Sequence, residues 1–212
     1  MSTAQSLLHS NAQWAQDVQS SDPDFCRNSA KGQSPHTLWI GCADSRVPES
    51  VITAVMPGAI FTHRNIANQF HPDDNNVLSV LEFAVNYLKV KNVVIVGHSE
   101  CGGAAACLGA VQRENFDPED FVTMPGTPAD APLNRWLKPL TRLAATLGVS
   151  TTPPKVALPV VIEESVKRQV ENVCESEVIV GAWTKGQEVH VHGWVYELAE
   201  GRLRDLGISR GC

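Results

Sequence analysis

The chain has 212 residues, 43% hydrophobic and 19% charged, with a formal net charge of −6. That balance fits one soluble domain, 1–212, large enough to bury a core, with residues 1–30 read below as a helical arm. It argues against a nucleic-acid partner, since no basic patch stands out to displace counterions, and against a membrane span, since no apolar run approaches about 18 residues.

In chain order, residues 3–20 carry Leu7, Leu8, Trp14, Ala15 and Val18 near one stripe, which predicts an amphipathic helix. Asp22-Pro23 breaks it and starts a short second helix to about Lys31. Such a helix must cover something, its own domain or a partner subunit. No Lys or Arg precedes Arg27 whereas Asp17, Asp22 and Asp24 do, so an organelle or secretory address is not expected and the cytoplasm is. Strands are expected at Thr37–Cys42, Ala59–His63 and Val93–Val96, the last closed by Gly97. A short helix follows Pro48-Glu49, and Asp73 or Asp74 caps another that buries Val77, Leu78, Leu81, Ala84, Val85 and Leu88. Gly102-Gly103 and the alanines after them open a further helix. The first half therefore reads βαβαβα, an α/β fold with a mostly parallel central sheet and helices on both faces.

Residues 114–132 are a polar, Pro-rich surface excursion, and 148–155 a loop. Helices are expected at Leu133–Leu147 despite Pro139, at Leu158–Cys174 and at Glu177–Lys185. Val189–Tyr196 then turns at Glu200-Gly201 into Leu203–Leu206, an antiparallel hairpin at the sheet edge.

The chemistry gathers at two strand ends. His98 and Cys101 follow one strand and Cys42 ends another, where open α/β sheets place their ligands. If the two strands lie side by side, Cys42 comes level with His98 and Cys101. Three ligands with a fourth position open form the catalytic rather than the structural pattern of zinc, and two thiolates with one imidazole exclude magnesium and calcium. Asp44 is placed to accept a hydrogen bond from a metal-held hydroxide, and Arg46 to clamp Asp44 and keep it ionised. Cys26, Cys107, Cys174 and Cys212 read as ordinary thiols, since six irregularly spaced cysteines are no secreted disulfide framework. His190 and His192 share a strand face but have no nearby carboxylate or thiol to complete a second metal site. His9, His36, His63 and His71 read as surface or packed residues, although one near the cleft could carry protons out.

Three segments, Cys42–Pro48, His63–Asn68 and Gly97–Gly103, together resemble the β-class carbonic anhydrases in order and spacing. The resemblance is dense from Lys31 to Gly109, returns at His192–Tyr196, and does not extend to 114–132 or 148–155. It implies zinc on Cys42, His98 and Cys101, and an Asp44–Arg46 catalytic dyad. Gln33, Phe61, Ile66 and Phe83, with Gly102, occupy positions that line the CO₂ pocket. The expected reaction is reversible hydration of CO₂ to bicarbonate and a proton by zinc-held hydroxide. The resemblance also implies a homodimer or dimer of dimers, whose amino-terminal helices embrace the partner. Trp39, Arg64 and Tyr196 match the trio that holds a non-catalytic bicarbonate in the regulated, type II subgroup. There Asp44 leaves Arg46 for the fourth zinc position, giving a switch governed by pH and bicarbonate. Two alternatives stay open from sequence: a hydrolase of COS or CS₂ on the same fold, and a non-catalytic bicarbonate- or zinc-binding protein.

Overall fold

The structure, a computed structural model, describes residues 2–211. Cys212, expected to be a free tail thiol, lies outside the described residues. The chain divides into two compact units, Met1–Ser34 and Pro35–Cys212. The first holds α1 (Thr3–Ser21) and α2 (Phe25–Ser29). Ser2 and Gln5 close the start of α1 reciprocally: Gln5 N donates to Ser2 Oγ and Ser2 N to Gln5 Oε1. Leu7, Leu8 and Trp14 of the expected stripe are exposed on this helix.

The second unit is built on five strands, β1 (Thr37–Cys42), β2 (Ile60–Asn65), β3 (Asn92–His98), β4 (His190–Glu197) and β5 (Arg202–Asp205), in the order β2-β1-β3-β4-β5. The first four are mutually parallel and β5 is antiparallel to β4, as expected from the hairpin. Between them lie α3 (Glu49–Ile52), α4 (Asn75–Glu82), α5 (Gly102–Val111), α6 (Pro132–Thr146), α7 (Pro154–Glu175) and α8 (Glu177–Thr184).

Alternation along the strands sorts the side chains into two faces. Leu38, Ile40, Val93, Ile95, Val191 and Val195 lie on one face and join the main core with Leu81, Leu108, Leu137, Val161, Val166 and Ile179 from α4 to α8. The opposite face carries Trp39, Val94 and Val96, packed with Ile52 of α3 and with Trp194, Tyr196 and Leu203. Helices thus sit on both faces, and the long ones share one.

Four details depart from the sequence reading. First, β3 does not stop at Gly97. Its pairing continues through Gly97 to Val195 and His98 to Tyr196, so His98 is the last strand residue rather than a turn residue. Gly97 is there because α7 crosses close by: an added Cβ would lie 2.7 Å from Val166 Cγ2 and 3.2 Å from Ile162 Cγ2. Second, β2 runs on to Asn65, which is level with Cys42 and whose C=O accepts from Ala43 N at 2.8 Å. Third, the helix capped by Asp74, which accepts from Asn76 N at 2.9 Å, passes at Phe83 into one π-helical turn, Phe83–Tyr87. Fourth, α7 begins at Pro154, where a missing N–H costs nothing, four residues before the expected Leu158.

Gly97→Ala would overpack the sheet–α7 contact and lower stability by about 1–3 kcal/mol. The midpoint of urea unfolding reads this directly, and an unchanged midpoint would show that Val166 and Ile162 yield freely.

Candidate active site

Cys42 ends β1, His98 ends β3 and Cys101 is the residue immediately before α5. Their donor atoms lie within 4.8 Å of one another and all three residues are buried. The parallel register brings this about, because Gly41 pairs with Val96 and so sets Cys42 level with Gly97, one residue before His98.

The donors are prepared for a cation. His98 Nδ1 lies 2.9 Å from the Ser99 carbonyl, a bond that makes Nδ1 the protonated nitrogen. Nε2, buried and facing the Cys42 thiol, makes no hydrogen bond to any other group among the described residues. The Cys42 thiol is held well below its ordinary pKa, first by a hydrogen bond from Cys101, with His98 and the backbone N–H groups of Asp44 and Ala67 adding to it against burial. The same bond and burial push Cys101 up. Without a cation the trio therefore holds one ready thiolate; with one, both thiols can ionise. An orphaned imidazole nitrogen facing two thiols fits a soft-to-borderline divalent metal.

Asp44 adjoins the trio, its Oδ2 3.9 Å from His98 Nε2. Arg46 grips it by two prongs, Nε to Oδ1 at 2.9 Å and Nη2 to Oδ2 at 2.7 Å, and Arg46 N donates to Oδ1 at 2.9 Å. That side-chain contact holds the Asp44 carboxyl well below the usual carboxylate range, despite partial burial. Arg46 Nη2 also donates to the Glu100 carbonyl at 3.2 Å, which ties the dyad to the turn carrying Cys101.

Comparisons with known proteins agree with one another. The sequence model of the family described as carbonic anhydrase matches residues 37–203. The carbonic anhydrase of Emericella nidulans is 34% identical over 211 residues, 98% of this chain and 85% of its own length. That of Saccharomyces cerevisiae is 35% identical, over 97% of this chain and 89% of its own. The chain is a β-class carbonic anhydrase. Among solved structures, tetrameric β-carbonic anhydrases from Sordaria macrospora superpose with a TM-score of 0.85 at 34% identity, covering 98% of both chains. A Coccomyxa β-carbonic anhydrase in complex with acetazolamide superposes at 0.85 with 30% identity, covering 97% of this chain and 87% of that one.

The other expected site residues of this carbonic anhydrase are distributed unevenly. Phe61 and Phe83 meet, with ring centroids 5.8 Å apart, and Tyr87 stacks on Phe83 at 5.5 Å. Phe61 stands four positions before Asn65, the partner of Cys42, which is about 13 Å back along the strand. Within one chain this aromatic pair is therefore separate from the metal-ligating trio. Ile66 is half exposed and packs near Gly103, where an added Cβ would lie 3.1 Å from Ile66 Cγ2. Gly102 has open space around it, so no close approach requires a glycine there. Gln33 belongs to the amino-terminal unit.

Trp39, Arg64 and Tyr196 share one face of the sheet by register. Trp39 sits edge-on to Trp194, 6.4 Å between centroids, and Arg64 donates from Nε to the Cys42 carbonyl at 2.7 Å and from Nη2 to the Asp44 carbonyl. No hydrogen bond joins the three side chains to each other among the described residues.

Two positioning residues escaped the sequence reading. Ser99 orients His98 through its carbonyl, while its N–H donates to Tyr196 O and its Oγ accepts from Leu198 N, pinning the turn to β4. Trp194 places beside Trp39 a buried Nε1 that has no hydrogen-bond partner among the described residues. Both lie inside segments that carry the family resemblance, Gly97–Gly103 and His192–Tyr196, but these contacts run to groups far along the chain or in the backbone, so only the fold could show them. The His190–His192 pair does have a carboxylate nearby, contrary to the sequence reading, since Glu188 Oε1 lies 3.9 Å from His190 Nε2; His192 is engaged through both nitrogens, with Nδ1 2.8 Å from Ser209 Oγ and Nε2 3.2 Å from Asn92 Oδ1. Among the other expected thiols, Cys107 is buried, with its pKa pushed up to about 12 by desolvation, and Cys26 is exposed.

Proposed function

We propose that this enzyme catalyses reversible hydration of CO₂ to bicarbonate and a proton with zinc held by Cys42, His98 and Cys101. The observation that carries the reading is the convergence of that trio with an ionised, doubly clamped Asp44. Zinc bound there supplies a Lewis acid that lets a water ionise near neutral pH. The protein's own part is orientation. The Asp44 carboxylate accepts the O–H of the attacking oxygen and so turns its lone pair toward the substrate carbon. Arg46 fixes that carboxylate and keeps it charged. A mere metal store needs neither residue.

Cys42→Ser should lose zinc and activity together. Asp44→Asn, which keeps the shape and abolishes the charge, should retain zinc by elemental analysis while kcat falls about 10²-fold or more. Full activity in Asp44→Asn by stopped-flow CO₂ hydration would remove the dyad from the mechanism.

The substrate pocket is completed, in this reading, by self-association. Phe61 lies on β2, the edge strand, and Phe83 and Tyr87 are exposed beside it, which supports a second chain bringing its aromatic pair toward the trio. The exposed Leu7, Leu8 and Trp14 support an exchanged arm formed by residues 1–30 of a single functional domain, 1–212. The Sordaria macrospora enzymes are described as tetrameric. Removing residues 1–30 should lower the number of chains per assembly obtained by light scattering, and the same number in a soluble truncated protein would dispose of the arm.

Regulation of the type II kind rests on Trp39, Arg64 and Tyr196, whose indole N–H, guanidinium and phenol O–H are all donors suited to bicarbonate. Arg64 anchors the Asp44 carbonyl, so a bicarbonate that draws Arg64 away loosens the backbone under the dyad. Asp44 would then be free to leave Arg46 for the metal, stopping turnover. Trp39→Phe and Tyr196→Phe are cleaner tests than any change at Arg64, which also holds the Cys42 carbonyl. Each should weaken bicarbonate inhibition several-fold at constant zinc content, and inhibition identical to wild type in both would count against the switch.

A further inference from the structure

Away from the metal-ligating trio, a cleft of about 590 Å³ opens between α6, α7 and the segment after β2. Arg135, Lys138 and Arg142 stand at i, i+3 and i+7 on one exposed face of α6, and Arg168 of α7 joins them; Asp73 is the carboxylate among the lining side chains. Four cations in one cleft are a local reversal of sign in a chain whose net charge is −6. That spacing keeps the three on α6 within about a Debye length of one another, roughly 10 Å at 0.1 M salt, so they repel.

The protein does little to neutralise them. Arg168 pairs with Glu171 at 3.3 Å. Among the described residues no carboxylate lies within ion-pair distance of Arg135, Lys138 or Arg142. Arg135 is braced by the Asp130 carbonyl, and Lys138 stands 5.8 Å from the centre of the Phe121 ring. One wall is rigid, because His71 lies against Trp136 with ring centres 4.2 Å apart and Trp136 Nε1 donates to the Ile66 carbonyl at 2.9 Å.

We infer that this cleft binds a multiply charged phosphate, free or carried on a small metabolite. Guanidinium groups match phosphate oxygens in pairs, which a monovalent anion cannot exploit across four cations. The volume is in the range of small-molecule sites and exceeds what a single chloride or bicarbonate needs. A neighbouring cleft that shares Pro72 and Asn172 carries Glu82, Glu175 and Glu177, so contact between copies is the competing use of the surface. The phosphate reading is favoured because the unpaired cations line a concavity.

The test is isothermal titration of the zinc-loaded enzyme with inorganic pyrophosphate and, separately, with ADP, at fixed ionic strength. One site per chain is expected, at least ten-fold weaker in Lys138→Glu/Arg142→Glu and in the milder Lys138→Gln/Arg142→Gln, and unchanged in Lys155→Glu, which changes a charge outside the cleft. CO₂ hydration without added phosphate should be the same in all of these. Tighter binding of ADP points to a carried phosphate and equal binding to the phosphate itself; both support the site. Absence of binding at millimolar concentration overturns it. So does affinity that survives both double substitutions, which would place the anion at the metal. A charge reversal that alters only the assembly size, with no phosphate binding to wild type, would assign the surface to contact between copies.

Discussion

Everything chemical in this molecule depends on the parallel pairing of β1 with β3. Residues level across parallel strands project to the same side, so Cys42 shares its side with Gly97 and His98 belongs to the opposite one. In mid-sheet such a pair would be kept apart by the sheet itself. At the carboxyl edge no further strand residue intervenes, and the side chains can bend around the end and meet. Cys101, at the start of α5, closes the group from the third direction. A metal-ligating site made from two sheet faces needs such a strand end, and here the carboxyl end supplies it together with Cys101.

The edge is held by backbone that would not choose its own conformation. Ala67 and Asn68 adopt φ of 60° and 47°, and Glu100 a φ of 56°, all in the left-handed region that non-glycine residues avoid. Two of them serve the site directly. The Ala67 N–H reaches the Cys42 sulfur and the Glu100 carbonyl accepts from Arg46. Gly103 allows the two strained turns to approach, since a Cβ there would stand 3.0 Å from that of Ala67. Strain concentrated at these residues and outweighed by the packed core behind them is how a fold keeps donors aimed before any ligand arrives.

Much of this was legible in the sequence. The strand-end cysteine, the His-x-x-Cys turn and the Asp-x-Arg pair carry their own spacing, and β-branched runs marked the strands. What escaped depends on partners far along the chain. Gly97 reads as a strand terminator because glycine usually is one; only Val166, 69 residues later, makes it a strand glycine under a helix. The π-helical turn at Phe83–Tyr87 leaves the apolar period almost intact, so no pattern separates it from the helix before it. The start of α7 lay hidden behind two prolines that read as loop, although one of them occupies the first helical position.

The position of Phe61 has a consequence for how the proposed reaction is housed. A small linear gas needs an apolar surface next to the attacking oxygen, yet the described aromatic pair lies about 13 Å down the strand from the Cys42 level. Sliding the register cannot help, because a one-residue slip would turn Phe61 to the other face of the sheet. Phe61 sits instead on the strand that forms the edge of the sheet, and its partner Phe83 stacks on exposed Tyr87 in the π-helical turn. An unpaired edge flanked by apolar side chains is unstable against association. Under the proposed reading, the association that removes this liability is also the one that furnishes the gas pocket. Activity would then require the assembled protein even though every metal-ligating residue and both members of the dyad come from a single chain.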